Sequence, residues 1–195
     1  MLGPSSDEDL MASYAAGDEV ALDQLFSRYA PVLLRVLQRQ VASREEAEDL
    51  VQQTFLQLHR ARYDFDKKRK FRPWVFTIAL NLRRAHSRRV RRRAEWPLEH
   101  APDFAIEPYQ RARADAARDL ERALATLPAE QREIIELHWL EGLSFQEVAE
   151  VLGGTRGAAK VRAHRGYALL REVLEREPPT VRANKLRNQM RRKEV

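Results

Sequence analysis

Apolar residues recur at spacings of three and four along most of the chain, and no stretch shows the sustained polar–apolar alternation of a half-buried strand. This pattern predicts an all-α protein. A capping-box spacing between Ser43 and Glu46 marks one helix start, and Gly17-Asp18 marks the first helix end. In the first half of the chain we expect a helix over residues 7–16, a second that begins at Glu19, and a third over 32–41 that Pro31 starts. Two further helices are expected over 44–61 and 73–93, with a polar loop between them at 62–70.

The second half opens on a stretch that carries three prolines and no clear period, which favours a flexible linker at 94–112. Beyond it, the periodicity returns and predicts helices over 113–125, 129–140, 145–152 and 156–175. The chain is therefore expected to form two small helical domains, at 7–93 and 113–175, joined by this linker and followed by a basic, disordered tail at 176–195.

The end of the second domain carries a more specific signal. Ser144 and Glu147 form a second capping box, Gly153-Gly154 supplies a tight turn, and Thr155 can cap the last helix. Two helices joined by a short glycine turn are the pattern of a helix-turn-helix motif, and an ordinary helical hairpin is the alternative.

The last helix has two different faces. On a helical wheel, one side carries small and apolar residues suited to packing: Ala159, Ala163, Gly166, Leu170, Val173 and Leu174. The other side and its flanks carry Arg156, Lys160, Val161, His164 and Arg165. Basic and small apolar side chains on an exposed helix are suited to the major groove of DNA.

Charge is unevenly distributed along the chain. Residues 59–93 carry 14 basic and 2 acidic side chains, and residues 151–195 carry 12 and 4, whereas the intervening and preceding segments are acidic. The run 83–93 contains seven arginines and no acid. Two separate basic segments indicate two separate contacts with nucleic acid, and solvated helix faces are the alternative.

Composition excludes several classes of protein. There is no cysteine, hence no disulfide, thiol catalysis or cysteine-based zinc site. The five histidines lack metal-ligand spacing, and no nucleophile-elbow or phosphate-loop motif occurs, so we expect no enzyme, no cofactor and no metal. The acidic run at 7–9 could hold a cation, although a solvated helix start is the simpler interpretation.

No apolar run approaches the roughly 18–20 residues that cross a bilayer. The first residues are acidic, where a signal peptide would be basic. We therefore expect a soluble, cytoplasmic protein with no membrane insertion.

Three segments, in order, resemble bacterial RNA polymerase sigma factors of the sigma-70 family, and more specifically the extracytoplasmic-function (ECF) group. AEDLVQQTF at 47–55 resembles region 2.2, and FRPWVFTIALN at 71–81 is similar to the aromatic-rich helix that precedes the family's arginine run. Leu127-Pro128, GLSFQEVA at 142–149 and GAAKVR at 157–162 together resemble region 4. The resemblance covers about residues 9–175.

The resemblance implies a two-domain initiation factor that binds core RNA polymerase and promoter DNA and is held inactive by an anti-sigma protein. It implies polymerase contacts at Asp49, Gln52, Gln53, Phe55 and Leu56. It implies contacts with the melted −10 element at Tyr63, Phe65, Phe71, Trp74, Asn81, Arg84 and Arg88. The −35 duplex would be read by Arg156, Lys160, Val161, His164 and Arg165.

Residue chemistry is compatible with these roles. Loop aromatics offer stacking faces to unpaired bases, and arginines hold phosphates without choosing a sequence. For Trp74 a core position is favoured over a role as a base platform, and a buried, internally satisfied amide is the alternative interpretation of Asn81.

Two positions depart from the family pattern. Ala85 stands where an acidic residue is frequent, and Ala158-Ala159 stands where Thr-Val is favoured. A stand-alone helix-turn-helix regulator, which would bind duplex DNA without polymerase, is the alternative function.

Overall fold

The structure is a computed structural model that describes residues 5–93, Leu120 and residues 122–176. The chain forms two compact units. All regular structure within the described residues is helical, which confirms the predicted all-α class. The predicted linker at 94–112, nearly all of the tail at 176–195 and most of the helix at 113–125 lie outside the described residues.

Four helices build the first unit: α1 (Asp7–Ala15), α2 (Glu19–Gln38), α3 (Arg44–Arg60) and α4 (Phe71–Arg93). Three of them begin at a side-chain cap, because Ser6, Asp18 and Ser43 each accept a hydrogen bond from a backbone N–H of the first turn. One half of the predicted capping box forms, because Ser43 Oγ accepts from the Glu46 N–H. In the other half the Glu46 carboxylate accepts from the Ala42 N–H, at 3.2 Å, one residue before the N-cap. Local capping thus sets these helix starts, and among the three caps the one at Ser43 was predicted from the sequence.

The core of the first unit draws on all four helices. α1 packs on α2, α2 on α3, and α3 on α4. The largest fully buried side chains in this unit are Met11, Leu25, Leu33, Leu37, Leu50, Leu58, Phe71, Phe76 and Leu80.

The expected helix break at Pro31 is wrong. α2 runs without interruption from Glu19 to Gln38 with Pro31 inside it. Pro31 is exposed, so water can reach the carbonyl that loses its helical partner, while Leu25, Tyr29 and Leu33 continue one buried stripe across the proline. The packing of that stripe outweighs the local cost of the proline.

In the acidic run at the start of α1, Asp9 is exposed, whereas Asp7 and Glu8 have partners on other helices. Arg28 Nη1 donates to Asp7 Oδ1 at 2.7 Å, and the Tyr29 hydroxyl donates to Asp7 Oδ2. Glu8 Oε1 accepts from the Phe71 N–H at 3.1 Å. These two carboxylates therefore fasten α1 to α2 and to the start of α4.

The described part of the second unit comprises helical residues 122–125, α5 (Ala129–Ile135), a π-helical turn (Glu136–Leu140), α6 (Phe145–Leu152) and α7 (Arg156–Arg176). Ala123, Leu124, Leu127, Ile135, Leu170 and Leu174 form one buried cluster. The bounds of α6 and the start of α7 agree with the sequence prediction, and the Ser144–Glu147 capping box is complete.

The segment 129–140 was predicted as a single α-helix, and its last five residues instead form the π turn. The Glu141 N–H donates to the Glu136 carbonyl, five residues back, at 3.0 Å. Four consecutive residues from Ile134 to Leu137 are buried there, a pattern that a one-sided α-helical stripe does not produce. Burial on several sides thus accompanies the wider turn.

Within the described residues, no helix combines the length and the apolarity that a membrane span requires.

Gly166 allows α7 to approach α5 closely. A Cβ atom at Gly166 would lie 2.8 Å from Ile135 Cδ1 and 3.2 Å from Gln131 Cβ, whereas one at Gly157, in the same helix, would meet nothing within 4 Å. The small residue therefore sets the distance between the two helices.

We predict that Gly166→Ala destabilises the second unit by about 1–3 kcal/mol, because the added methyl forces the packed Ile135 side chain to move. Gly157→Ala is the matched control and should stabilise by up to about 1 kcal/mol, through the lower backbone entropy of alanine. Hydrogen exchange of the α7 amides in the full chain, measured against urea concentration, reports both effects. Equal effects of the two substitutions would contradict a close approach at Gly166.

Candidate nucleic-acid interface

One face of α3 is exposed and chemically varied. Asp49, Gln52, Gln53 and Leu56 are all exposed, and Leu56 retains 58% of its accessible area. The opposite face carries the stripe that packs into the core: Ala47, Leu50, Val51, Thr54 and Leu58. A leucine held in water beside amides and a carboxylate is suited to a protein partner.

Phe55 departs from the predicted set of contact residues. It is only 8% exposed, and its ring lies 4.7 Å from the Phe26 ring, centroid to centroid. Phe55 is thus a core residue of this structure. Its spacing of four residues from Val51 and three from Leu58, both on the buried stripe, is a signal that could have shown this.

The loop between α3 and α4, residues 61–70, separates its aromatic residues into two groups. Tyr63 is 71% exposed, and the Arg62 guanidinium lies 4.3 Å from the centre of its ring. Phe65 is half-buried and packs against Trp74, with ring centroids 5.0 Å apart. In this structure only Tyr63 therefore offers a largely open ring face on the loop.

Phe71 does not fit the predicted base-contact role. It is fully buried, and its ring packs against the rings of Tyr29, Phe65 and Trp74 at centroid distances of 5.1, 5.9 and 6.0 Å. Because no face is open, Phe71 serves as the core anchor of α4, and half-buried Trp74 extends the same aromatic cluster. The spacing of four between Phe71 and buried Val75 already indicated a core position.

Backbone and side-chain contacts hold both ends of the loop. At its start, the His59 ring is hydrogen-bonded to the Tyr14 hydroxyl of α1. At its end, Glu8 of α1 accepts from the Phe71 N–H, with the Lys70 ammonium 3.9 Å from the same carboxylate oxygen. Sequence reasoning missed Tyr14, His59 and Glu8, because partners 45 and 63 residues apart leave no local pattern.

Two tyrosine hydroxyls in the first unit stay neutral. Burial raises the pKa of Tyr14. Burial, followed by the hydrogen bond to Asp7, raises the pKa of Tyr29 above its ordinary value. Both phenols therefore act as uncharged hydrogen-bonding groups in the physiological range.

Helix α4 is buried in its first half and basic in its second. Val75, Phe76, Ala79 and Leu80 are buried, after which Asn81 is exposed. The interpretation of Asn81 as a buried amide is therefore wrong.

Beyond Asn81 the helix presents the arginines of its basic half. Arg84 is half-buried and Arg88 exposed. Arg84 Nη1 lies 3.5 Å from Asn81 Oδ1, so the neighbour of the amide on this helix is an arginine. The acidic residue that is frequent in the family at the next position is replaced here by Ala85. The helix thus displays an amide and cations to solvent.

The outer face of α7 matches the prediction in exposure. Arg156, Lys160, Val161, His164 and Arg165 are all exposed, and Val161 retains 51% of its area. Ala159, Ala163 and Leu170 are buried on the opposite face. The Ala158 N–H donates to Thr155 Oγ1 at 3.2 Å, so the predicted cap forms.

No three His, Asp or Glu side chains converge on a possible metal position in the ranges 5–93 and 122–176.

Comparison with protein families gives two matches in chain order. The family model described as Sigma-70 region 2 matches residues 25–93, and the model described as Sigma-70, region 4 matches residues 117–170. The first range spans most of the four-helix unit, and the second spans α5, α6 and most of α7.

Individual proteins agree with the family models. The RNA polymerase sigma factor CarQ of Myxococcus xanthus is 38% identical over 84% of this chain and 95% of its own length. The ECF RNA polymerase sigma factor SigM of Mycobacterium tuberculosis is 32% identical over 87% of this chain and 85% of its own. The solved structure of CnrH, in complex with the cytosolic domain of CnrY, superposes with a TM-score of 0.70 at 30% identity, covering 89% of this chain and all of CnrH. On the two family models and these relatives, the chain belongs to the sigma-70 family of RNA polymerase sigma factors, in its ECF group.

Proposed function

We propose that the two units of this sigma factor direct RNA polymerase to promoters through different contacts. The first unit binds core polymerase and captures the melted −10 strand, and the second reads the −35 duplex. The observation that carries the proposal is the open face of Tyr63. A large aromatic ring that is mostly exposed to water, with the Arg62 guanidinium over one face, is suited to an unpaired nucleotide.

The exposed face of α3 supports the polymerase contact. Leu56 supplies an apolar anchor, and Gln52 and Gln53 supply donors and acceptors around it. An apolar centre within a polar rim is the usual composition of a protein–protein interface. This face lies on the segment that resembles region 2.2, which in the family binds the polymerase clamp.

The −10 strand would be held by two kinds of group. Tyr63 would stack on an unpaired base, and Asn81 would hydrogen-bond a base edge. Arg84 and Arg88 would hold phosphates, which positions the strand without choosing a sequence. Phe65, Phe71 and Trp74 support this surface from behind, since they form the aromatic cluster under the loop.

The −35 duplex would be read by α7. Val161, His164 and Arg165 face outward near the middle of the helix, where base edges would lie, while Arg156 and Lys160 at its start would contact phosphates. Small buried residues on the inner face keep α7 close to its neighbours, so its outer side chains are held rigidly.

Two further features of the family are proposed here for this chain. An anti-sigma protein would hold it inactive, and the complex of CnrH with the cytosolic domain of CnrY supports a protein partner for a similar fold. The protein would act on polymerase in the cytoplasm and would itself catalyse no reaction. The alternative, a stand-alone duplex-binding regulator, does not account for the region 2 match or the exposed α3 face.

Reconstitution with core polymerase tests the function and the α3 contact together. The wild-type chain should comigrate with core and produce specific run-off transcripts from fragmented genomic DNA of the source bacterium. Leu56→Asp should weaken core binding at least about tenfold, because it places a charge in a desolvated interface. Val20→Asp, which alters another exposed apolar residue of the same unit, is the control and should bind normally. Specific transcripts without measurable binding to core would contradict the proposal.

For the −10 element, Tyr63→Ala should weaken binding of holoenzyme to fork-junction DNA by about 1–3 kcal/mol, the contribution of one stacked base. The DNA is made from the strongest promoter in the run-off experiment. Tyr63→Phe keeps the ring and should bind within about twofold of wild type. If both variants bind like wild type, Tyr63 has no stacking role.

For the −35 element, Lys160→Ala should weaken holoenzyme binding to all promoters alike and reduce the slope of log K against log salt by about 0.9, the value for one phosphate contact. Arg122→Ala is the control. It removes a positive charge next to the buried cluster on the inner side of α7, away from the proposed DNA-facing side, so the slope should not change. Titration of duplex promoter DNA at several salt concentrations measures both slopes. A change in sequence preference with an unchanged slope would assign Lys160 to base contact instead.

A further inference from the structure

Helix α1 contacts both ends of the loop that carries Tyr63. The loop leaves α3 next to His59, which is bonded to Tyr14, and enters α4 at Phe71, whose N–H is bonded to Glu8. Tyr14 and Glu8 lie six residues apart on a single nine-residue helix. The family model for region 2 begins at residue 25, so α1 lies outside the segment that it matches.

At the start of the loop, a chain of contacts runs from α1 to the exposed ring. Arg62 Nη1 lies 3.4 Å from His59 Nε2 and donates to the His59 carbonyl at 2.8 Å. Because a guanidinium only donates, Nε2 accepts, and the ring proton on Nδ1 is donated to the Tyr14 oxygen. Arg62 Nη2 then donates to the Tyr63 hydroxyl at 3.1 Å, and the guanidinium lies over one face of the ring, 4.3 Å from its centre. The orientation of Tyr63 therefore depends on Tyr14 through His59 and Arg62.

At the end of the loop, Glu8 does what a local cap does elsewhere. No acidic residue occurs in the first turn of α4, and the carboxylate that accepts the Phe71 N–H comes from 63 residues away. The same carboxylate lies 3.9 Å from Lys70 Nζ. Fixing Phe71 also fixes Phe65, which packs against it and lies two residues from Tyr63.

Helix α1 is itself firmly seated, so it can hold the loop. Leu10, Met11 and Tyr14 are buried, and Asp7 is bonded to Arg28 and Tyr29 of α2. Through α1, the two loop contacts therefore connect the loop to the core of the unit.

We propose that Tyr14 and Glu8 are positioning residues for capture of the −10 strand: from α1 they hold the two ends of the loop so that Tyr63 is preset for an unpaired base. The proposal rests on the stacking role of Tyr63 proposed above. A loop that is ordered before binding loses less conformational entropy when the strand docks, so part of the affinity for melted DNA comes from α1. In this proposal neither residue itself binds DNA.

The test uses full-length holoenzyme and the same fork-junction DNA. Tyr14→Phe removes one hydroxyl and keeps the ring, and Glu8→Ala removes the acceptor for Phe71. Each should weaken fork-junction binding about two- to tenfold, the range for one hydrogen bond, with core affinity unchanged. Glu8→Gln retains an acceptor oxygen and should restore binding to within about twofold of wild type. Thr54→Val is the matched control, because it removes a buried hydroxyl of α3 that bonds only within its own helix, to the Leu50 carbonyl.

A double-mutant cycle with Tyr63→Ala separates positioning from general destabilisation. If α1 acts through Tyr63, Tyr14→Phe should cost little more once Tyr63 is already alanine. Full additivity, a parallel loss of core affinity, or unchanged binding by both Tyr14→Phe and Glu8→Ala would overturn the proposal while leaving the stacking role of Tyr63 in place. If Tyr63→Ala alone has no effect, the stacking role fails and this proposal fails with it.

Discussion

The hydrogen bond from the Phe71 N–H to Glu8 joins the start of α4 to α1, and the position of the basic helix depends on it. A helix that starts without a local cap leaves donors unpaired, and here the buried start of α4 receives its acceptor from α1. The bond also places the Phe71 ring between Tyr29 and Trp74, which anchors the apolar half of α4. Once that half is fixed, the direction in which the arginine-rich second half of the helix extends is fixed with it.

In the second unit, the inner face of the helix proposed to meet DNA is held by close packing of small residues, and not by a charged side chain from another helix. The absence of a side chain at Gly166 lets α7 lie against Ile135, and buried Ala159 and Ala163 extend that close contact toward the helix start. A helix packed on its inner side through small residues has its outer side turned fully to solvent. In both units, therefore, contacts on the inner face of a helix determine which side chains of its outer face are presented to DNA in the proposed function.

The parts of the fold that could be predicted from sequence are those governed by local physical chemistry. The caps at Ser43, Ser144 and Thr155 lie within three residues of their partners, so their spacing marks the helix starts. The errors arose where distant contacts prevailed. The stripe through α2 continues across Pro31, burial around Glu136 accompanies a wider turn, and the carboxylates of Asp7 and Glu8 find partners on other helices.

The same distinction explains the candidate site. The family resemblance implied base contacts at Tyr63, Phe65, Phe71 and Trp74, although a core position was already favoured for Trp74, and the structure exposes mainly the tyrosine. A phenol tolerates water through its hydroxyl, whereas phenylalanine gains most from burial, so division of the aromatics by polarity is physically expected. In the proposed function the arginines of α4 would contribute affinity without sequence preference, so contact with the bases of the −10 strand would fall on very few side chains of this unit, chiefly Tyr63 and Asn81. A site with so few base-contacting groups would depend strongly on how rigidly each is held, and the contacts behind the loop would then matter as much as the groups proposed to face the DNA.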